Sequence, residues 1–156
     1  MNRFPNTVTR AFLRIVYWAG LVFCFIFRPA FKAAIVAIWS GDRILIVKNS
    51  YYSKFVIPGG YVQRGEKPAE AAVREISEEV GIRAATDQLK SMDTLQGTFR
   101  FKRETIHCYE LRLASPPDVH LDFKEVVWYD FLPLEKALDM NLSGPVKFFL
   151  KKYLNR

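Results

Sequence analysis

Residues 60–82 read GYVQRGEKPAEAAVREISEEVGI, and this stretch decides the fold. Its second half predicts a helix over residues 68–80, because Pro68 suits a first helical turn and Gly81 suits a left-handed cap beyond the last turn. Three carboxylates of this helix fall within roughly 100° of arc at about 100° per residue. They are Glu75, Glu78 and Glu79.

The same helix carries apolar residues with helical spacing on a second stripe. These residues are Ala69, Val73, Ile76 and Val80. A stripe of this kind packs on a hydrophobic core, so the carboxylates are expected to point outward. The small side chain of Ala71 is expected beneath the carboxylates, where it leaves room above it.

An acidic patch of this density predicts a metal site. Like charges on one helix face repel by about a few tenths of a kcal/mol per pair, and a bound cation relieves that repulsion. Carboxylate oxygens are the ligands that Mg²⁺ and Mn²⁺ prefer. Upstream, Pro58-Gly59-Gly60 lets the backbone turn tightly and approach a ligand closely.

The stretch resembles the signature of the Nudix hydrolase family at every specified position. That signature is Gly, five residues, Glu, seven residues, then Arg-Glu-aliphatic-any-Glu-Glu-any-Gly-aliphatic. The matching residues are Gly60, Glu66, Arg74, Glu75, Ile76, Glu78, Glu79, Gly81 and Ile82. The resemblance implies an α/β fold, a Nudix-like α/β/α sandwich with a mixed β-sheet.

The resemblance also implies a reaction. It is that of a Mg²⁺-dependent pyrophosphohydrolase, which cleaves the diphosphate linkage of a nucleoside diphosphate joined to another moiety. Glu75, Glu78 and Glu79 would be the metal ligands, with Mn²⁺ as a substitute metal. Glu75 is also the candidate base, Arg74 would orient the glutamates by pairing with a carboxylate, and Glu66 would brace the glycine loop. Which glutamate is the general base stays open.

Other candidate residues lie outside this patch. Glu125 begins a Glu-x-x-Trp strand that resembles one in many relatives, where the Glu approaches the metals or acts as base. The alternative is a solvated strand edge. Gly59 and Gly60 are candidates for substrate binding, and Lys54 and Arg64 lie on either side of the glycine turn and could meet phosphate.

The sequence leaves the substrate open. By resemblance, ADP-ribose enzymes often carry a Pro, and dinucleoside polyphosphate enzymes a Tyr, at a set distance after the box. Residues 97–100, Gly-Thr-Phe-Arg, match neither. A nucleoside triphosphate, a nucleotide sugar, an RNA 5′ end and a lipid-linked diphosphate all stay open. A non-catalytic Nudix-fold binding or regulatory module is the alternative of another class, but such modules commonly lose box residues and none is lost here.

Composition excludes several classes of protein. Half of the 156 residues are apolar and 15% are aromatic, which excludes a disordered chain and predicts a domain with a substantial core. With only Cys24, Cys108, His107 and His120, a histidine-rich metal site is unsupported, and two buried thiols in a reducing cytoplasm are expected.

The net charge of +7 is concentrated at the front of the chain. Residues 1–41 contain five basic and no acidic side chains, and subtraction leaves 18 basic against 16 acidic residues, a net of +2. A nearly neutral body predicts no extended nucleic-acid surface.

An apolar run forms the second unusual feature. Residues 15–27, IVYWAGLVFCFIF, carry no charge between Arg14 and Arg28, and the run is shorter than the ~20 residues that span a bilayer. Four interpretations compete: a helix packed in the domain or a homodimer, an interfacial membrane helix, a short transmembrane or signal-anchor segment, and a cleaved targeting peptide.

We therefore predict two regions. Residues 1–31 form a basic, apolar N-terminal helix that packs or meets a membrane surface through residues 8–28, and residues 32–156 form the Nudix hydrolase domain. The expected location is cytoplasmic, with membrane association as the alternative, and the expected partner is a nucleotide-type small molecule. Hydrophobic periodicity predicts strands at 33–39, 43–48, 55–57, 89–101, 104–113 and 125–129, and helices at 134–138 and after 143.

Overall fold

The computed structural model describes residues 15–20, 22–23, 25–26, 30–99, 102–121 and 124–154, without the side chains of residues 99 and 102. Helix α1 comprises the described positions from 15 to 26. The other elements are β1 (Ala30–Ser40), β2 (Arg43–Asn49), β3 (Phe55–Val56), β4 (Gly59–Tyr61), α2 (Pro68–Val80), a 3₁₀ turn (Thr86–Gln88), β5 (Lys90–Phe99), β6 (Lys102–Leu113), β7 (Val126–Pro133), α3 (Leu134–Asp139) and α4 (Gly144–Leu154).

The seven strands form one mixed sheet around β1. Its main path runs β3-β2-β1-β6-β5, while β4 pairs with β1 and β7 pairs with β2. β1 and β6 are parallel along the whole of Ala30–Ser40, and the other strand pairs are antiparallel. The mixed sheet that the sequence predicted is thus confirmed.

Two hydrophobic cores lie on opposite faces of this sheet. Along β1, Ala34, Val36 and Ile38 belong to the core that contains the apolar face of α2. The alternate residues Ala37 and Trp39 belong to the core that contains the buried residues of α3 and α4. Because successive side chains of a strand point to opposite faces, β1 is buried on both sides. Helices therefore cover both faces, and the predicted α/β/α sandwich is confirmed.

Helix α2 has the predicted bounds, and Ile76 and Val80 of the predicted stripe are buried, but the buried face is shifted around the helix axis. Gly81 caps it in the left-handed conformation, with φ of 71°. Its fully buried side chains include Ala71, Ala72, Ile76 and Val80, whereas the predicted Ala69 and Val73 are only half-buried. Ala71 and Ala72 are small, so this face can pack closely on the sheet.

Strand β4 lies where the sequence predicted only a glycine turn. Gly59 and Gly60 pair with Ile35 and Ala34 of β1. A Cβ atom at Gly59 would lie 2.2 Å from the carbonyl oxygen of Ala34, and the φ of Gly59 is +147°. Only glycine allows this close backbone approach, which makes the turn part of the sheet.

The N-terminal helix is described at ten positions. Tyr17 is half-buried, and the other described side chains of α1 are exposed. Among the described residues, no helix is long and apolar enough to cross a bilayer. The rest of segment 8–28, including Arg14, Cys24 and Arg28, lies outside the described residues, and the predicted boundary between residues 31 and 32 stays a prediction.

Candidate active site

A cleft of about 720 Å³ lies beside the glycine strand β4. Residues of β4 and α2 form part of its wall, and Ser143 to Val146, at the start of α4, form another part. Four carboxylates line this cleft: Glu75, Glu79, Glu104 and Glu125. The structure thus brings two carboxylates of the predicted acidic patch together with the predicted Glu125.

Glu79 is turned into the protein, not outward as the sequence predicted. Its side chain is only 5% exposed, because residue 79 falls on the face of α2 that packs against the sheet. The backbone N–H of Gly59 donates to Glu79 Oε2 at 3.0 Å, and Asn49 Nδ2 lies 3.4 Å from Oε1. Burial raises the pKa of Glu79 to about 8, against the hydrogen bond from Gly59, and the charges of Glu75 and Glu125 add to the rise.

Arg74 holds the loop and the helix together. Its Nε and Nη2 donate to the two carboxylate oxygens of Glu66 at 2.9 and 3.1 Å. Nη2 also donates to the carbonyl of Tyr61 at 3.0 Å, and Nη1 donates to Glu75 at 2.6 Å. Glu66 in turn accepts the N–H of Gln63 at 2.9 Å. Arg74 lowers the pKa of Glu66, so this ion pair stays charged at neutral pH. The predicted pairings are present, while their catalytic roles stay predictions.

Glu75 and Glu78 have different surroundings. The carboxylate of Glu75 packs directly over Gly60, where an added Cβ atom would lie 2.5 Å from its carboxyl carbon. Burial raises the pKa of Glu75, and the hydrogen bond from Arg74 opposes the rise. Glu78 has a side chain that is 61% exposed and lies 3.2 Å from Arg74 Nη1. It is not among the residues that line the cleft.

The oxygen atoms of these carboxylates are suitable ligands for a hard divalent cation, but the present positions of the side chains do not form a metal site. Within the described part of the chain, no three His, Cys, Asp or Glu side chains are gathered in a metal-binding arrangement. Arg74 contacts Glu75 and Glu78, whereas Glu79 contacts Gly59. Yet the donors are all carboxylate oxygens, and burial and mutual repulsion raise the pKa of Glu79. A nearby cation would favour the charged form, and Mg²⁺ prefers such ligands.

The remaining predicted residues divide into two groups. Lys54, Gly59 and Gly60 line the cleft, as expected of substrate-binding residues. Arg64 does not line the cleft, because it lies in an exposed turn before Gly65, which has φ of 85°.

The predicted buried thiol at Cys108 is confirmed, and burial raises its pKa to about 12.

Sequence reasoning missed several residues of the cleft, among them Glu104, Asn49 and Tyr17. Asn49 ends the apolar strand β2 and is only 7% exposed, and a polar residue closing an apolar run is a signal that could have been found. Tyr17 of α1 also lines the cleft, with its ring centroid 5.7 Å from that of Tyr51 and 6.5 Å from that of Tyr52. Nothing in the sequence links residue 17 to this site.

A known protein family matches most of the chain. The family model described as NUDIX domain matches residues 29–153. The chain belongs to the Nudix family. A diphosphoinositol polyphosphate phosphohydrolase 3-beta of Bos taurus is 39% identical over 87 residues, which are 55% of this chain and 49% of that protein. The chain thus spans about half the length of this curated relative.

Solved structures of Nudix proteins have the same fold. An Ap4A hydrolase of C. elegans is 27% identical, with a TM-score of 0.67 over 80% of this chain and 96% of that chain. A MutT protein from Methanosarcina mazei Go1 is 22% identical, with a TM-score of 0.72 over 83% of this chain and 96% of that chain. The second likeness concerns the fold alone, and together with the family match these structures confirm both the resemblance and the fold class.

Two neighbouring glycines of β4 give a matched test of this site. Gly60→Ala is expected to lower kcat roughly 10-fold or more with little change in Tm, because the new methyl group meets the movable carboxylate of Glu75 at 2.5 Å. Gly59→Ala is expected to lower stability by about 1–3 kcal/mol, because its methyl group meets the Ala34 carbonyl at 2.2 Å. Thermal denaturation and steady-state kinetics separate the two effects, and equal loss of Tm in both variants would contradict the assignment.

Proposed function

We propose that this Nudix protein is a Mg²⁺-dependent pyrophosphohydrolase that cleaves the diphosphate linkage of a nucleoside diphosphate joined to another moiety. One observation carries the proposal: Glu75 and Glu79 of a complete Nudix box line the same cleft, and Arg74 fixes one of them by a hydrogen bond of 2.6 Å. Membership of the family supports hydrolysis of a phosphoanhydride bond.

Glu75, Glu78 and Glu79 are proposed to hold Mg²⁺, with Mn²⁺ as a substitute. When bound, the cation would screen the phosphate charge and lower the pKa of a water molecule. Glu78 is exposed and accepts a hydrogen bond of 3.2 Å from Arg74 Nη1. Its side chain can therefore turn toward the cleft by rotamer changes. Glu79 keeps its position through the N–H of Gly59. The glycine strand therefore fixes one ligand while another adapts.

A carboxylate must also accept the proton of the attacking water. Glu75 is our candidate, because burial shifts its pKa toward the working pH, where a general base is most effective. Arg74 holds one of its oxygens and orients the carboxyl group. Glu125 lines the same cleft and is the second candidate for this role.

The rest of the cleft has side chains that suit the phosphate groups and the base of a nucleotide. Lys54 lies in the wall and can neutralise phosphate charge. Tyr51 and Tyr52 line the cleft and offer ring faces on which a planar base can stack. Burial, with the charges of Glu79 and Glu125 next in order, raises the pKa of Tyr51, so its hydroxyl stays protonated and can donate a hydrogen bond.

The names of the relatives agree with this reaction class, but they do not give the same substrate. One is called an Ap4A hydrolase and another a diphosphoinositol polyphosphate phosphohydrolase. Both names describe cleavage at phosphate groups. The cytoplasmic location stays a prediction.

A panel of compounds tests the proposal. Dinucleoside polyphosphates, nucleotide sugars, ADP-ribose, nucleoside triphosphates and capped RNA are incubated with the full chain and Mg²⁺ or Mn²⁺, and the products are identified by mass. At least one diphosphate-linked compound should be cleaved, and cleavage should stop when EDTA is added. Tight binding of a compound without turnover of any would contradict the enzyme and favour the non-catalytic module.

A further inference from the structure

The outer face of α1 is an exposed apolar surface that the proposed reaction does not use. Seven of its described large apolar side chains are between 51% and 67% exposed. They are Ile15, Val16, Trp18, Val22, Phe23, Phe25 and Ile26. At helical spacing of about 100° per residue, these side chains share one broad face and Tyr17 lies opposite its centre. The helix therefore contacts the domain through Tyr17 and presents an apolar face away from it.

A cluster of large exposed apolar side chains marks a surface that something covers. An interface with a protein partner has an apolar centre and a polar rim, and both proteins contribute to that rim. The run at residues 15–27 has no charged, amide or small hydroxyl side chain from which such a rim could be built on the helix. A lipid surface requires none, since acyl chains cover the apolar face and headgroups cover its borders.

The charge of this region favours anionic lipid. Residues 1–41 carry five basic side chains and no acidic one, and Arg14 and Arg28 bracket the apolar run in the sequence. Basic residues next to an inserted apolar face are attracted to anionic headgroups, and salt weakens that attraction. Trp18 adds an amphipathic ring of the kind found at lipid–water borders.

We propose that the outer face of α1 docks on an anionic lipid surface, which holds the cleft beside that surface because the same helix contributes Tyr17 to the cleft wall. The inference does not depend on the proposed reaction, because it rests on the exposed face and the charge of α1. Hydrolysis can fail while lipid binding holds, and the reverse is also true.

Co-sedimentation with vesicles tests the proposal on the full chain. Binding should be at least about 10-fold stronger to phosphatidylcholine vesicles with about 30% phosphatidylglycerol than to phosphatidylcholine alone, and should weaken as salt is raised. The double variant Val22→Glu with Ile26→Glu should lose this binding. Phe148→Glu is the matched control, because Phe148 is 60% exposed on α4 and lies outside the proposed surface.

Two further measurements keep the test decisive. Circular dichroism must be unchanged in the double variant, and Arg14→Gln with Arg28→Gln should reduce the salt-dependent part of binding without adding a charge to the apolar face. The proposal is overturned if the wild-type chain binds neither vesicle, or if Phe148→Glu loses as much binding as the double variant. It is also overturned if light scattering gives a dimer that the double variant dissociates and no vesicle binding accompanies it.

Discussion

Glu79→Gln is expected to lower kcat for Mg²⁺-dependent hydrolysis by roughly 10²–10³-fold while the fold is kept. The amide has nearly the shape of the carboxyl group, and its oxygen can still accept the N–H of Gly59, which lies 3.0 Å from Glu79 Oε2. The substitution removes one negative charge and replaces an oxygen with an NH₂ group, which cannot coordinate a cation. The loss should therefore appear in the rate and in metal affinity, not in folding.

Steady-state kinetics at saturating Mg²⁺, with thermal denaturation of the same samples, checks this result. Glu70→Gln is the matched control on the same helix, because Glu70 is exposed and accepts the N–H of Lys67 at 2.9 Å, a bond that glutamine can keep. The control should retain wild-type turnover. If Glu79→Gln kept more than about a tenth of wild-type kcat, Glu79 would not be a metal ligand in the reaction.

The second large effect is a pH dependence of stability in the metal-free protein. The pKa of Glu79 rises from 4.5 to about 8 on folding, mainly because its carboxyl group is buried. Between these values the folded state holds a proton that the unfolded state has lost. The free energy of unfolding therefore falls as pH rises through this window, by on the order of a few kcal/mol. Below about pH 4.5 this contribution is fully present.

Urea denaturation of the wild type and Glu79→Gln at several pH values, with EDTA, isolates this contribution. Other carboxyls titrate in both proteins, so the difference between the two stability profiles reports on residue 79. The wild type should lose stability relative to the variant from pH 5 toward pH 8. A difference that is constant with pH would show that Glu79 is ionised in the folded protein throughout.

Mg²⁺ should reverse the fall in the free energy of unfolding with rising pH, because the cation binds the carboxylate of Glu79 and competes with its proton. The stabilisation by Mg²⁺ is expected to increase with pH over the same window in the wild type and to be small in Glu79→Gln. Ca²⁺ at equal ionic strength serves as a control for general screening, because it prefers more ligands and longer bonds. Equal stabilisation of both proteins would contradict a metal site at residue 79.

The fold could be predicted largely because its signals are local. Pro68 and Gly81 mark the two ends of α2, and both act through backbone geometry within a few residues. The turn at Gly41-Asp42 likewise joins β1 and β2, because it brings Ser40 opposite Arg43. Strand β4 could not be predicted, because two glycines have no strand propensity and pair only when β1 lies beside them.

The sequence predicts that the candidate carboxylates of α2 lie near one another, but it does not predict how α2 is rotated on the sheet. The spacing of Glu75, Glu78 and Glu79 places them on one side of a helix, yet it cannot say how that helix rests on the sheet. Its rotation buries Glu79 and leaves Glu78 exposed. Tyr17 reaches the cleft through a tertiary contact of α1, for which no periodicity or motif gives a signal.

The glutamates of α2 are proposed to hold the cation of a hydrolytic site. The most direct test is a crystal structure with Mn²⁺ and a methylene-bridged diphosphate analogue that the protein cannot cleave, with Mn²⁺ located by its anomalous scattering. We expect Mn²⁺ within about 2.3 Å of a Glu79 oxygen, with Glu75 or Glu78 as a further ligand and the analogue bridged to the ion. Mn²⁺ bound elsewhere, with the diphosphate in the cleft and no metal at Glu79, would contradict the account.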